Sequence, residues 1–161
     1  MHARALATSM DAESRLQELG ISLPDPQKPF ANYRAAVQSG NLLFIAGQGP
    51  TREGKILMTG KLGEKVSIED GQEAARLSVI NAIAIAKQHL GSLDKVRQVV
   101  RATIYVASTP TFVEQPKVAD GATDLLKALW GEDGLPARAA VGVSVLPMDI
   151  PVEVELTFEI R

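Results

Sequence analysis

Two stretches of strict apolar–polar alternation lie close together between Leu135 and Arg161. In the first, one face carries Ala139, Val141, Val143 and Val145. The other face carries Arg138, Ala140, Gly142 and Ser144. In the second, apolar residues from Val152 to Ile160 alternate with Glu153, Glu155, Thr157 and Glu159. A period of two indicates half-buried strands, and the short Pro-containing link predicts that they pair as an antiparallel hairpin. The pattern predicts that Arg138 and the carboxylates face away from the core.

The middle of the chain predicts a hairpin and then a long helix. Tyr33 to Gln38 and Leu42 to Ala46 are short apolar-rich runs around Ser39-Gly40-Asn41, a tight-turn sequence. Ser67 is predicted to cap the start of the helix, and Gly91 is predicted to end it after an apolar stripe. A short strand is expected around Ile56 to Met58.

A strand and a second helix are predicted next. Val96 to Val106 alternates, with Val100 on the same side as Ala102 and Ile104. Thr109 is predicted to begin a helix that runs to Trp130, bent by Pro116 and Gly121.

The start of the chain is predicted to lie outside the main domain. Met1 to Ser9 is interpreted as a disordered or expression-derived tail, Asp11 to Leu19 as a short helix, and Ile21 to Pro29 as an extended Pro-rich connector. The division is a tail, helix and connector over residues 1–29 and one domain over residues 30–161. The order of elements predicts an α+β fold, with two main helices on one face of a mostly antiparallel sheet.

Composition narrows the functional classes. The chain has no cysteine, so disulfides, thiolate metal sites and cysteine nucleophiles are excluded. Its net charge of −2 argues against a general nucleic-acid binder. No apolar run is long enough to span a membrane, and no secretory signal is evident, so a cytoplasmic location is expected.

The usual catalytic motifs are missing. The two histidines, His2 and His89, have no second ligand at a useful spacing, so no metal site is predicted. Gly47-Gln48-Gly49-Pro50 follows a strand but lacks the Lys and Ser/Thr of a phosphate-binding loop. No cofactor is expected, and no serine–histidine pair is credible.

Arg138 is the strongest remaining candidate for a functional residue. At the start of a strand, its guanidinium could bind a ligand carboxylate in bidentate fashion. The ordinary alternative is an ion pair with Glu153 or Glu155. The small residues that follow on its face suggest that a ligand or another subunit packs there.

These residues carry a resemblance to a known family. Four segments resemble the motifs of Rid proteins: Asn41 to Gln48 (NLLFIAGQ), Pro136 to Val141 (PARAAV), Leu146-Pro147 and Val152 to Glu155 (VEVE). These reactive-intermediate deaminases are also called YjgF-type proteins or endoribonuclease L-PSP. The resemblance covers residues 33–161, and only the C-terminal motif is fairly specific.

The resemblance implies a chorismate-mutase-like fold and a homotrimer with ligand clefts between subunits. It implies hydrolysis of enamine and imine intermediates, such as 2-aminoacrylate, to 2-keto acids and ammonia. Arg138 would bind the substrate carboxylate, and Glu153 would orient or activate the water. Tyr33, Ala46 and Gly47 would border the ligand. Deaminases of the family have serine where this chain has Ala46.

Two alternatives remain. A trimeric protein could use Arg138 to bind small carboxylate metabolites without converting them. A ribonuclease-type translation inhibitor is the other, which the acidic balance and lack of a catalytic histidine disfavour. Pro116 stands near the position where the family has an asparagine, and the sequence names no physiological substrate.

Overall fold

The computed structural model describes residues 11–161, which form three helices and seven strands. The helices are α1 (Ala12–Glu18), α2 (Ile68–Leu90) and α3 (Gln115–Trp130). The strands are β1 (Ala36–Ser39), β2 (Leu42–Gln48), β3 (Thr51–Arg52), β4 (Lys55–Ile56), β5 (Val96–Ala107), β6 (Ala137–Val143) and β7 (Val152–Ile160). The α+β class is confirmed, and the predicted tail from Met1 to Ser9 lies outside the described residues.

Five strands form one sheet in the order β1-β2-β7-β5-β6, and β3 and β4 form a separate small hairpin. All neighbours in the large sheet are antiparallel except β5 and β6, which are parallel. The sheet is therefore mostly antiparallel, as predicted.

The predicted hairpin of the last two strands is wrong, because β5 lies between β6 and β7. The link from Ser144 to Pro151 crosses the end of β5. Leu146 and Ile150 in this link are buried with Ala107, the last residue of β5. Met148 adopts a positive φ of 59°, which turns the link sharply. Anchoring the link on β5 delivers the chain to the far side of that strand.

The predicted orientation of Arg138 is also wrong. In the parallel register Arg138 is opposite Ala102, and Ala140 is opposite the fully buried Ile104. Side chains opposite each other in a ladder share a face, so Arg138 points to the side that the helices cover. The small residues let α3 come close: a Cβ on Gly142 would lie 2.8 Å from Nε2 of Gln115. The glutamates of β7 do lie on the uncovered face, because Val152 and Val154 are fully buried between them.

The long helix α2 follows its sequence signals closely. Oγ of Ser67 accepts a hydrogen bond from the backbone N–H of Asp70, and Gly91 ends the helix with a φ of 81°. Its buried face is rich in alanine, including Ala75, Ala82 and Ala86. Small side chains allow the helix to lie close to the sheet.

Helix α3 begins at Gln115, six positions later than predicted at Thr109. Pro116 stands in the first turn, where a missing N–H costs nothing and the ring is favourable. Gly121, the second residue predicted to bend this helix, serves packing in the structure. A Cβ at Gly121 would overlap the backbone carbonyl of Gln72, so the glycine lets α3 lie against α2.

The bulge in β5 changes which of its residues are buried. The pairing of β5 with β7 shifts between Val99 and Arg101, and Val99 is buried in the core in place of the predicted Val100. Beyond it, Ala102, Ile104 and Val106 pack under the helices. In residues 11–161 no helix has the length and apolarity needed to cross a bilayer.

The short helix α1 is confirmed and contributes to the core. Oδ1 of Asp11 accepts a hydrogen bond from the N–H of Ser14, and Ala12 and Leu16 are buried in the main core. Ile21 and Leu23 of the following connector pack against the same core. These contacts hold the connector against the domain.

Candidate functional site

A β-bulge shapes the end of β2. Ile45 is opposite Leu156 and Gln48 is opposite Val154, so β2 contains one residue more than β7 over this interval. A bulge of this kind bends a strand and redirects its side chains. The amide of Gln48 donates to the carbonyls of Ala46 at 3.1 Å and Gly47 at 3.0 Å, which satisfies acceptors that the bulge frees from the ladder.

The carboxylate of Glu153 lies directly against the bulge. A Cβ built on Gly47 would overlap Oε1 of Glu153 and would lie 2.9 Å from its Cδ. Only a residue without a side chain leaves this space to the carboxylate. The requirement for glycine at position 47 is therefore steric, and it serves Glu153.

Glu153 lines a cavity of about 340 Å³ on the uncovered side of the sheet. Tyr33 and Gly47 line the same cavity, so three of the residues expected to form the site come together. The remaining walls come from the connector before β1, the loop after β2 and the link before β7. They are Gln27, Lys28, Pro29, Phe30, Ala35, Gln48, Gly49, Thr51, Pro147, Met148 and Ile150.

The environment of Glu153 favours its protonated form. Partial burial raises the pKa of this carboxyl above its usual range, and the neighbouring charge of Glu155 raises it further. Glu155 itself accepts a hydrogen bond from the hydroxyl of Tyr105 at 2.7 Å, which raises the pKa of the tyrosine. Among the described residues no salt bridge reaches Glu153. The expected arginine beside Glu153 is therefore absent within one chain.

Arg138 lies elsewhere, on the edge strand β6 against α3. Its Nη1 donates to Oδ1 of Asp120 at 2.8 Å and to Oγ1 of Thr123 at 3.1 Å. The ordinary ion pair expected with Glu153 or Glu155 is wrong, because those glutamates are on the opposite face. Both described hydrogen bonds use Nη1, so the edge formed by Nε and Nη2 can still receive a ligand carboxylate.

Gln115 places an amide over the small residues of β6. Its Nε2 donates to the carbonyl of Phe112 at 2.8 Å, and the amide covers Gly142. Gly142 and Arg138 share one face of β6 but lie four positions apart. Pro116, near the position where the family has an asparagine, stands in the first turn of α3.

Ala46 does not line the Glu153 cavity. Together with Arg34, Arg101 and Glu155, it lines a separate depression of about 320 Å³ on the uncovered face. A serine at position 46 would therefore place its hydroxyl in this depression.

Asn81 holds the loop after β2 and was missed in the sequence. Its Nδ2 donates to the carbonyls of Gly49 and Thr51, both at 2.9 Å. A polar residue interrupting the apolar side of α2, between Ile80 and Ala82, was the available signal. The contact fixes the wall of the cavity to a rigid helix.

The described residues offer no metal centre. No three side chains of the metal-ligating types come together in residues 11–161. His89 is near Oε1 of Gln38 at 3.1 Å, and His2 lies outside the described residues.

Replacing Gly47 by alanine is expected to impair the site without unfolding the protein. The added Cβ displaces only the flexible end of Glu153, so the unfolding midpoint should change little. Any activity that needs this carboxylate should fall by about 10- to 100-fold, because a misplaced base loses its alignment. The checks are thermal unfolding and kcat.

Gly49→Ala is the matched control for this prediction. Its Cβ would lie 2.7 Å from Cδ1 of the buried Ile150, in the same cavity but away from the carboxylate, so this variant tests crowding of the wall alone. Equal losses in both variants would contradict a specific role for the contact between Gly47 and Glu153.

Comparison with known proteins agrees with this architecture. A family model described as "YjgF/chorismate mutase-like, putative endoribonuclease" matches residues 13–160. The match begins inside α1, so it includes the helix and connector that the resemblance alone had placed outside.

Individual relatives span nearly the whole chain. Protein TCP17 of Trypanosoma cruzi is 41% identical over 149 residues, covering 92% of this chain and 93% of its own length. A crystal structure of a protein of unknown function from Agrobacterium tumefaciens has a TM-score of 0.87 and 44% identity, covering 93% of this chain and 92% of that one. A 2-iminobutanoate/2-iminopropanoate deaminase of Dermatophagoides farinae is 28% identical, over 84% of this chain and 91% of its length. The chain belongs to the YjgF/chorismate mutase-like family, the family of the Rid proteins.

Proposed function

We propose that this protein hydrolyses 2-imino acids and their enamine tautomers, of the 2-aminoacrylate type, to 2-keto acids and ammonia. The observation that carries the proposal is the carboxylate of Glu153, which has no described salt-bridge partner and lies in a cavity beside the bulge glycine Gly47. A base held next to an open space is what the activation of water requires. The similarity to the deaminase of Dermatophagoides farinae supports the same reaction.

The substrate carboxylate needs a cation, and we assign this role to Arg138 of a second subunit. Within one chain Arg138 and Glu153 lie on opposite faces of the sheet, separated by β5. They can contact one small ligand only if different chains supply them. Arg138 lies on the edge strand β6, which leaves it accessible to a neighbouring subunit. A homotrimer with three equivalent clefts satisfies this requirement.

The reaction needs little besides positioning. A protonated imine is electrophilic at its carbon, and Arg138 of the partner subunit holds the substrate by its carboxylate. Glu153 accepts a proton from water as the oxygen bonds to that carbon. The resulting carbinolamine takes up this proton on its nitrogen. The carbon–nitrogen bond then breaks and ammonia leaves, while the hydroxyl oxygen forms the keto carbonyl and passes its proton to Glu153, from which the released ammonia can take it. The raised pKa of Glu153 suits both steps, because the group must accept a proton and then release it.

A binding protein that does not turn over its ligand is the second candidate. The observation that favours it is Ala46, which supplies no hydroxyl at the position where deaminases of the family have serine. Such a protein would bind 2-keto acids and leave imines to react with bulk water.

Imines generated in situ by a dehydratase provide the test. The wild-type protein should accelerate release of the keto acid, and Arg138→Ala should lower kcat/KM by about 10- to 100-fold, because a charge-assisted contact is lost. Arg97→Ala is the matched control, since this exposed arginine pairs with Glu159 away from both parts of the site.

No acceleration with any imine would overturn the deaminase proposal. Tight binding of 2-keto acids in that case, lost in Arg138→Ala, would establish the binding protein instead. Equal activity of Arg138→Ala and wild type would remove the assigned cation.

A further inference from the structure

The cavity of Glu153 is larger than the simplest imines require. Its volume is about 340 Å³, whereas a liquid water occupies roughly 30 Å³ and a three-carbon imino acid is only a few times larger. Cavities that bind ligands of drug-like size begin at about 300 Å³. A three-carbon substrate would leave much of the space filled with water.

The spare part of the cavity has apolar walls. Pro29 and Phe30 come from the connector, and Pro147, Met148 and Ile150 come from the link between β6 and β7. Phe30 is 77% exposed and Met148 is 53% exposed. Large apolar side chains that line a cavity and remain uncovered stabilise a ligand by burying apolar surface with it.

The walls are fixed by the fold. Ile21 and Leu23 anchor the start of the connector in the core, and the N–H of Ala46 donates to the carbonyl of Ala35 at 2.9 Å at its other end. On the opposite wall, Ile150 is buried against Ala107. A preformed apolar wall can select a ligand by its shape.

We propose that the cavity selects 2-imino acids with apolar side chains longer than ethyl, and that Phe30 and Met148 determine this preference. The inference rests on the proposed function for the reacting end of the molecule. The imino carbon lies at Glu153, and the side chain extends along the apolar wall towards Phe30. The connector that precedes the first hairpin is then a specificity element.

Lys28 raises a different possibility. It is the cation among the described residues that line the cavity, and no described salt bridge uses it. A substrate with a second carboxylate could pair with it. The apolar residues outnumber it on the walls and its side chain is exposed to water, where an ion pair contributes little, so the apolar substrate is favoured.

The kinetic test compares imines produced by an L-amino-acid oxidase, with catalase present, from alanine, leucine and phenylalanine. We expect kcat/KM for the leucine or phenylalanine imine to exceed that for the alanine imine by at least about 10-fold, as apolar pockets discriminate by that much per methylene. Phe30→Ala should reduce this ratio by about 5-fold or more. Val113→Ala is the matched control, since Val113 is also 77% exposed and does not line the cavity.

A binding test is independent of turnover. Calorimetry should show 4-methyl-2-oxopentanoate binding at least about 10-fold more tightly than pyruvate, with the difference reduced in Phe30→Ala. If no imine is turned over but this preference holds, the function proposal fails and the cavity inference stands.

Three results would overturn the inference. Equal or better use of the alanine imine by an active wild-type protein would do so. Tighter binding of 2-oxoglutarate than of 4-methyl-2-oxopentanoate, abolished by Lys28→Ala, would assign the cavity to dicarboxylates. A change in oligomeric mass of Phe30→Ala, with an unchanged substrate ratio, would make Phe30 an interface residue.

Discussion

Glu153→Gln is expected to lower kcat for imine hydrolysis by about 100- to 10,000-fold, the usual contribution of a positioned acid–base group. The substitution keeps the shape of the side chain, so Gly47 still accommodates it. An amide cannot accept a proton from water. Affinity for a 2-keto acid, measured by calorimetry, should change much less, because we assign the carboxylate of the ligand to Arg138 of the partner subunit.

The pH profile gives this prediction a second readout. Burial and Glu155 raise the pKa of Glu153, and the reaction needs its ionised form. The kcat/KM of the wild type should therefore fall as the pH is lowered through this raised pKa, at a higher pH than an ordinary glutamate would give. The acidic limb should be missing from the residual activity of Glu153→Gln.

Glu155→Gln is the matched control, since it lies two positions along the same strand and face. Removing its charge takes away one cause of the raised pKa, so the acidic limb should move to lower pH while the activity persists. Loss of activity equal to that of Glu153→Gln, or an unmoved limb, would contradict the assignment of the base.

The Glu153→Gln variant should also be more stable than the wild type at neutral pH. A carboxyl with a raised pKa holds its proton more tightly in the folded state, so its contribution to stability is present below the unfolded pKa. This contribution is lost as the pH rises through the folded pKa. Glutamine mimics the protonated form, and we expect a gain of about 0.5 kcal/mol or less at pH 7 that disappears in acid, because the side chain is partly exposed and water screens its charge. Thermal unfolding across pH measures it.

The sequence predicted helices and glutamate positions well because their signals are local. Ser67 and Gly91 end α2 through contacts within one turn, and the alternation from Val152 to Ile160 separates glutamates from buried residues. The face of Arg138 was not predictable in this way. Both faces of β6 carry small or apolar residues, so alternation distinguishes two sides without indicating which side α3 covers.

The errors concern contacts between distant segments. The insertion of β5 between the last strands depends on the burial of Leu146 and Ile150 against Ala107, which no local pattern encodes. The overlap of Gly47 with Glu153 likewise joins residues on different strands. The family motifs indicated both Arg138 and Glu153. Their positions on opposite faces of one subunit depend on the order of strands in the sheet, which the motifs do not encode.

Those opposite faces lead to a prediction about mixed oligomers. Arg138→Ala and Glu153→Gln should each retain about one tenth of the wild-type kcat/KM or less, since every cleft in either protein lacks one group of the proposed site. When the two are unfolded together in equal amounts and refolded, a cleft is complete if one subunit contributes Glu153 and its neighbour contributes Arg138. Random assembly of a ring completes about one quarter of the clefts.

Mixing should therefore restore roughly one quarter of the wild-type kcat, with a normal KM, starting from two proteins of low activity. If Arg138 and Glu153 acted within one subunit, no combination of these variants would contain both in a single chain, and mixing would restore nothing. The double variant Arg138→Ala/Glu153→Gln refolded with an equal amount of wild type is the control. A shared site leaves about one quarter of its clefts complete, whereas a site within one subunit would leave about one half. A kcat of the mixture above that of either unmixed variant, measured together with the oligomeric mass, would place the reaction between subunits. Intact trimers without this recovery would contradict the shared site.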